Sequence, residues 1–142
     1  MVLTLNHSQF EAFSDEFEQR LRENFKRALI GGVGQDAVAT HAGQLGLGSD
    51  EALNTLYTNC DMLGAVNLDS FLIHACIALE PASVQAANPN LFTWINRILA
   101  RNTPVIDQWL GVIRKHLAAT ADMDPDAKRI HFHITACQGA KA

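Results

Sequence analysis

Most of this chain, from Asn6 to about Leu117, is a succession of amphipathic segments with the spacing and end signals of α-helices. Apolar residues recur every three or four positions, and Gly, Pro and Asn separate the segments. The pattern predicts helices that begin near Asn6, Gln35, Ser49, Leu68, Pro89 and Pro104. The fold class that follows is all-α, a compact bundle of five to six helices with short connections.

The first predicted helix carries an apolar stripe that is rich in phenylalanine. Its members follow helical spacing: Phe10, Phe13, Phe17, Leu21, Phe25 and Ala28. Acidic residues dominate the first half of this helix and basic residues the second, which suits the helix macrodipole. The helix is expected to end before Gly31-Gly32, because glycine is a common helix terminator. The run Gly31–Gly34 is not a phosphate loop, since it lacks the Gly-Lys-Ser/Thr ending and follows a helix.

Further signals locate individual helix ends and the centre of the bundle. The segment Leu68–Leu79 is apolar on nearly all sides, which indicates a central helix. Asn67 is its predicted N-cap. Ser49 is the predicted cap of the preceding helix, and Gly64 is the residue expected to end that helix.

The segment 122–142 has a different pattern and allows three interpretations. Residues Arg129 to Thr135 alternate with period two, which is typical of a β-strand. Such a strand would form a short terminal pairing with Met1–Leu5. A terminal helix or an extended, flexible tail over 122–142 fits the same residues equally well. The predicted organisation is therefore a single helical domain over 1–142, with the structure of its tail left open.

Composition excludes several classes of protein. The chain is 48% apolar and 18% charged, with a net charge of -4. Its 11 Lys and Arg residues are scattered, so no nucleic-acid partner is expected. The N-terminus lacks a signal-peptide pattern, and the longest apolar run, Phe71 to Leu79, is too short to span a membrane. Three cysteines without a CxxC motif indicate free thiols and a cytoplasmic location.

One pair of residues has the spacing of metal ligands. His131 and His133 would face the same side if they lay on a strand. A site would need a third ligand, for which Cys137, Asp124 or Asp126 is near in sequence. Because the ligand count is not met, the sequence predicts no metal and no cofactor.

No arrangement of side chains predicts nucleophilic catalysis. Cys76 and His74 are two positions apart on a predicted helix and so point to different faces. Ser70 and Ser83 lack the glycine-flanked elbow that exposes a nucleophilic serine. His41, alone on an apolar stripe, is interpreted as a partly buried, hydrogen-bonded histidine. We therefore expect the chain not to be an enzyme, with no catalytic residues.

The two tryptophans lie on adjacent predicted helices. Trp109 lies within its apolar stripe and Trp94 lies at the edge of its own, so both are interpreted as core residues. Tryptophan is also enriched at the energetic centres of protein interfaces. If Trp94 is partly exposed, it is the first candidate for a partner-binding surface.

Three segments together resemble a known group of proteins. The run Gly46–Tyr57 (GLGSDEALNTLY), followed by Met62–Gly64, is similar to a pattern in small helical proteins encoded beside type VI secretion spike and effector genes. Leu3–Phe10 (LTLNHSQF) is similar to the opening of those proteins, and Trp94–Leu99 (WINRIL) is similar to one of their later helices. The resemblance implies a cytoplasmic accessory protein that handles a secreted effector or its adaptor. It implies no catalytic residues.

The function expected from these observations is protein binding. The chain would be an adaptor or chaperone-like component of type VI effector secretion, with a secretion effector, adaptor or toxin as its partner. An immunity protein that neutralises a cognate toxin is one alternative, since such a protein would also be small, acidic and helical. A small-ligand or metal-binding helical domain that uses the histidines of the tail is another. A plain homodimer with a structural role also stays open.

Overall fold

The computed structural model describes residues 7–101 and 105–141, with the side chains of residues 7–14 left aside. Within these ranges the chain forms eight α-helices and no strand: α1 (His7–Val33), α2 (Gln35–Leu45), α3 (Ser49–Met62), α4 (Leu68–Ala78), α5 (Ala82–Ala87), α6 (Pro89–Leu99), α7 (Ile106–Thr120) and α8 (Pro125–Ala140). The all-α class is confirmed, and the count of five to six helices is wrong. No helix in the described ranges combines the length and apolar character needed to cross a bilayer.

The C-terminal segment is a helix, so the predicted strand over Arg129–Thr135 is wrong. The residues of α8 that enter the core follow helical spacing and are fully buried: Ala127, Ile130, Ile134 and Cys137. The period-two pattern arises because the exposed Phe132 lies midway between the buried Ile130 and Ile134, and polar residues separate the three. Of the three interpretations of the tail, the terminal helix is therefore the right one. The proposed partner strand, Met1–Leu5, lies outside the described residues.

The close packing of α1 against α8 explains why α1 continues through its paired glycines. A Cβ atom added at Gly32 would lie 2.5 Å from the backbone nitrogen of Cys137 and 2.6 Å from its Cα. A Cβ added at Gly31 would lie 2.9 Å from the Cβ of Ala140. The expectation that the helix ends before Gly31-Gly32 is wrong. The two glycines lie within the helix and, because they have no side chain, allow α1 to pack closely against α8. The helix ends instead at Val33, and the next residue, Gly34, has a positive φ of 90°.

The helix α4 lies at the centre of the bundle, as its apolar sequence predicts. It contacts α1, α3, α7 and α8. Phe71 on α4 stacks on Tyr57 of α3 with ring centroids 4.7 Å apart and an interplanar angle of 11°. Phe25 of α1 packs edge-on against Phe71 at 6.1 Å. These three rings join the first, third and fourth helices in one apolar core.

Short-range signals are the best-predicted part of the fold. Asn67 and Asn88 accept hydrogen bonds from backbone N–H groups in the first turns of α4 and α6. Gly64 has a positive φ of 91° directly after the last turn of α3. Ser49 is the first residue of α3 and Gly48 is its N-cap, so the prediction of Ser49 as the cap is wrong by one residue. The signals at Asn67, Asn88 and Gly64 depend on residues close together in the sequence, which is why the pattern alone reveals them.

Candidate functional site

Residues 15–20 of α1 lie outside the core of the bundle. The side chains of residues 15–20 are all exposed. We call these six residues the free segment of α1. Further along the same stripe, Leu21 is partly buried and Phe25 is completely buried. Phe17 belongs to this stripe, yet its side chain is 57% exposed. The stripe is therefore apolar at Phe17 without being buried there.

Charged residues before and after Phe17 in the sequence form two ion pairs along α1. Arg20 donates to Glu16, and Arg22 donates to Glu18 at 3.2 Å, so both pairs span one helical turn. Exposed pairs of this kind add only a few tenths of a kcal/mol to stability. A shallow groove of about 450 Å³ lies beside them, and its lining is mostly charged: Asp15, Glu18, Gln19, Arg22, Glu23, Lys26 and Asn54. Phe17 is not among the lining residues of this groove.

The side chain of Trp94 is only partly buried, so this residue stays a candidate for a partner-binding surface. Its ring lies 4.3 Å from the ring of His116, measured between centroids. A groove of about 460 Å³ runs beside the two rings, and Met123 on its border is 81% exposed. Trp109 is also partly buried, and the guanidinium of Arg101 covers its ring at 4.7 Å. A role of Trp94 in binding stays a prediction.

A groove of about 430 Å³, which we call the α2–α8 groove, lies where α2 approaches α8 and the ends of α1 and α4. The apolar residues of its lining come from α1, from α2, from the residue after α4, and from α5 with its N-cap: Val33, Ala37, Leu79, Pro81 and Val84. His41 and His133 contribute imidazoles to the same lining. Burial lowers the pKa of His41 below its ordinary value, which favours the neutral ring. The volume falls within the range of small-ligand sites.

An ion pair between the buried Glu80 and the partly exposed Arg129 forms one side of the α2–α8 groove. The carboxylate of Glu80, 5% exposed, accepts hydrogen bonds from both Nε and Nη2 of Arg129 at 2.9 Å each. Arg129 also donates to Asp126 at 2.7 Å. The bond to Glu80 raises the pKa of Arg129, and the bonds from Arg129 and Asn88 lower the pKa of Asp126. This network fastens the start of α8 to the end of α4, so its role is structural.

The structure separates the two histidines with metal-like spacing. Residues two apart on a helix differ by about 200° in direction, so His131 and His133 of α8 do not share a face. His133 lines the α2–α8 groove and His131 does not. Cys137 is buried in the core, Asp124 caps α8, and Asp126 binds Arg129. In the described part of the chain, no three His, Cys, Asp or Glu side chains are placed to hold a metal ion.

No described hydrogen bond joins the side chains of the candidate nucleophiles Cys76, Ser70 and Ser83 to a histidine or a carboxylate. Cys76 is fully buried on α4 and contacts Cys137 instead of His74. His74 is partly buried, and its Nδ1 has no hydrogen-bond partner among the described residues. Burial lowers the pKa of this imidazole. Ser70 is buried within α4, whereas Ser83 is exposed on α5.

Three features of the structure carry no local sequence signal: the exposure of Phe17, the α2–α8 groove and the Cys76–Cys137 contact. Each depends on which distant helix covers a given residue. Comparisons of the chain with protein-family models, with curated protein sequences and with solved structures give no match.

Proposed function

We propose that this chain is a protein-binding accessory component of type VI effector secretion. It would act as an adaptor or chaperone-like protein for a secretion effector, an effector adaptor or a toxin. The observation that carries the binding role is Phe17, a large apolar side chain that is 57% exposed where α1 leaves the core. The secretion context rests on the resemblance of segments between Leu3 and Leu99 to accessory proteins of that system.

The free segment of α1 suits an amphipathic helix of the partner. An exposed helix face of this kind receives an apolar anchor from a second helix, with polar side chains at the border. Phe17 would lie at the centre of the contact, and the flanking pairs Glu16–Arg20 and Glu18–Arg22 would exchange partners with charges on the incoming helix. Such border charges act on specificity and on the association rate.

The first experiment identifies the partner and tests the surface. The tagged chain is purified from its host, the proteins that co-purify are identified by mass spectrometry, and the dissociation constant is measured with the purified partner. We expect Phe17→Ser to weaken binding about 30-fold or more, the loss typical of an interface anchor. Circular dichroism should show an unchanged unfolding transition, because Phe17 is not part of the core.

Phe132→Ser is the matched control. Phe132 on α8 is 68% exposed, so its replacement removes a comparable side chain from a different surface. We expect this variant to bind like the unchanged chain. Normal binding by Phe17→Ser, or equal losses in both variants, would contradict an interface at α1. A partner unrelated to secretion would contradict the type VI assignment, and a toxin that the chain inactivates would indicate an immunity role instead.

A further inference from the structure

Two of the three cysteines meet in the core. The Sγ atoms of Cys76 on α4 and Cys137 on α8 lie 3.8 Å apart. Both side chains are fully buried free thiols. The two residues are 61 positions apart in the sequence, so the contact depends on the folded arrangement of the helices. Cys60 is buried as well, but its Sγ lies 3.8 Å from the carbonyl oxygen of Ser70.

The packing of α1 holds Cys137 in this position. The backbone of Cys137 lies directly against Gly32, where even a Cβ atom would not fit. The Sγ atom of Cys137 is 4.0 Å from the carbonyl oxygen of Leu29, which lies on α1 as Gly32 does. Cys137 therefore cannot withdraw towards α1, and its sulfur stays beside Cys76. A disulfide of about 2.05 Å requires the two sulfurs to approach by roughly 1.8 Å, a movement that two side chains share.

We propose that Cys76 and Cys137 form an oxidation site, a buried dithiol that a hydroperoxide converts into an intramolecular disulfide joining α4 to α8. The site is independent of the binding surface on α1. Its product would covalently attach the last helix to the central helix of the bundle.

The thiol contact indicates which sulfur reacts first. The hydrogen bond between the two side chains lowers the pKa of Cys137 and raises that of Cys76. The Cys137 thiolate bonds to one oxygen of hydrogen peroxide, the O–O bond breaks, and the departing hydroxide takes a proton to become water. The sulfur of Cys76 then bonds to the sulfenic sulfur of Cys137, the S–O bond breaks, and a second water leaves with the thiol proton. The dithiol supplies two electrons and the peroxide accepts them.

The test uses the full chain treated with hydrogen peroxide under native conditions. Excess peroxide is removed, the protein is unfolded in N-ethylmaleimide without reductant, and the intact mass is measured. We expect one alkylated cysteine after oxidation and three in the untreated chain. Peptide mapping should show Cys76 linked to Cys137, and dithiothreitol should restore three alkylated cysteines.

Two variants complete the test. Cys60→Ser should still form the linkage, whereas Cys137→Ser should lose it. The mapping of the unchanged chain stands without either variant, so a folding defect in one of them leaves the result intact. Three alkylated cysteines after prolonged peroxide treatment would overturn the proposal. A linkage that involves Cys60, or one between two chains, would overturn it as well.

Discussion

Among single residues, Gly32 determines how closely α1 and α8 approach. An added Cβ would overlap the backbone of Cys137, which cannot rotate away as a side chain can. We expect Gly32→Ala to lower the free energy of unfolding by about 1–3 kcal/mol, the usual cost of overpacking. This loss should exceed the gain that alanine brings to a helix interior. Urea denaturation followed by circular dichroism measures the difference.

Gly111 provides the matched control for this prediction. It lies inside α7, and a Cβ atom added there would meet nothing within 4 Å. Gly111→Ala should therefore raise the free energy of unfolding by about 0.5–1 kcal/mol, because only the helix-forming advantage of alanine remains. Changes of the same sign in the two variants would show that close packing does not explain the glycine at position 32.

The lowered pKa of His74 leads us to expect that the free energy of unfolding depends on pH. Burial lowers its pKa below the ordinary value of 6.5, so the folded chain binds a proton less readily than the unfolded chain. The stabilisation is complete above pH 6.5 and is lost as the pH falls towards the folded-state pKa. We expect the free energy of unfolding to decline between pH 7 and pH 5, and to decline less steeply in His74→Gln. His41, whose pKa is also lowered, would account for part of the remaining slope. Identical slopes in both proteins would contradict this role of His74.

At the scale of elements, an ion pair contributes to the attachment of α8, beside its buried core residues. Arg129→Ala would leave the carboxylate of Glu80 buried without its bidentate partner. We expect a loss of about 2 kcal/mol in the free energy of unfolding, less than for a fully enclosed pair because the arginine is 40% exposed. Hydrogen exchange should show the first turns of α8 losing protection before the rest of the core.

The neighbouring Lys128 is the control for Arg129. It is exposed on the same helix, so Lys128→Ala should change stability by less than about 0.5 kcal/mol. A similar loss in both variants would indicate that helix propensity or net charge, and not the pair with Glu80, sets the stability of α8.

The helices differ in how well their sequences predict them. The starts of α4 and α6 were predictable because Asn67 and Asn88 act within their own first turns. The helix α8 was not, because the exposed Phe132 and the buried Ile130 and Ile134 give one alternating run that fits a strand equally well. Only packing against α1, α4 and α7 distinguishes the two, and no short window of sequence contains those neighbours.

Across the whole molecule, the sequence predicts the all-α class and the central position of α4, but not the surfaces. The stripe of α1 is apolar along its length, so its pattern cannot show that Phe25 is covered while Phe17 is 57% exposed. The same limit applies to the α2–α8 groove, whose lining includes residues as distant as Val33 and His133. Coverage is a property of the assembled helices, and it decides where a partner can bind.

The contact between the first and last helices also has a consequence for the order in which the chain acquires its fold. Leu29 of α1 and Cys137 of α8 are 108 positions apart in the sequence. In the described structure, the space beside Gly32 is filled by Cys137 of α8. During synthesis, α1 and α4 therefore emerge from the ribosome well before the helix that covers them. Contacts of such long range slow folding and leave apolar surface exposed in the meantime. The final collapse of this bundle must wait until α8 has been translated, so the core forms only after both α1 and α8 have been made.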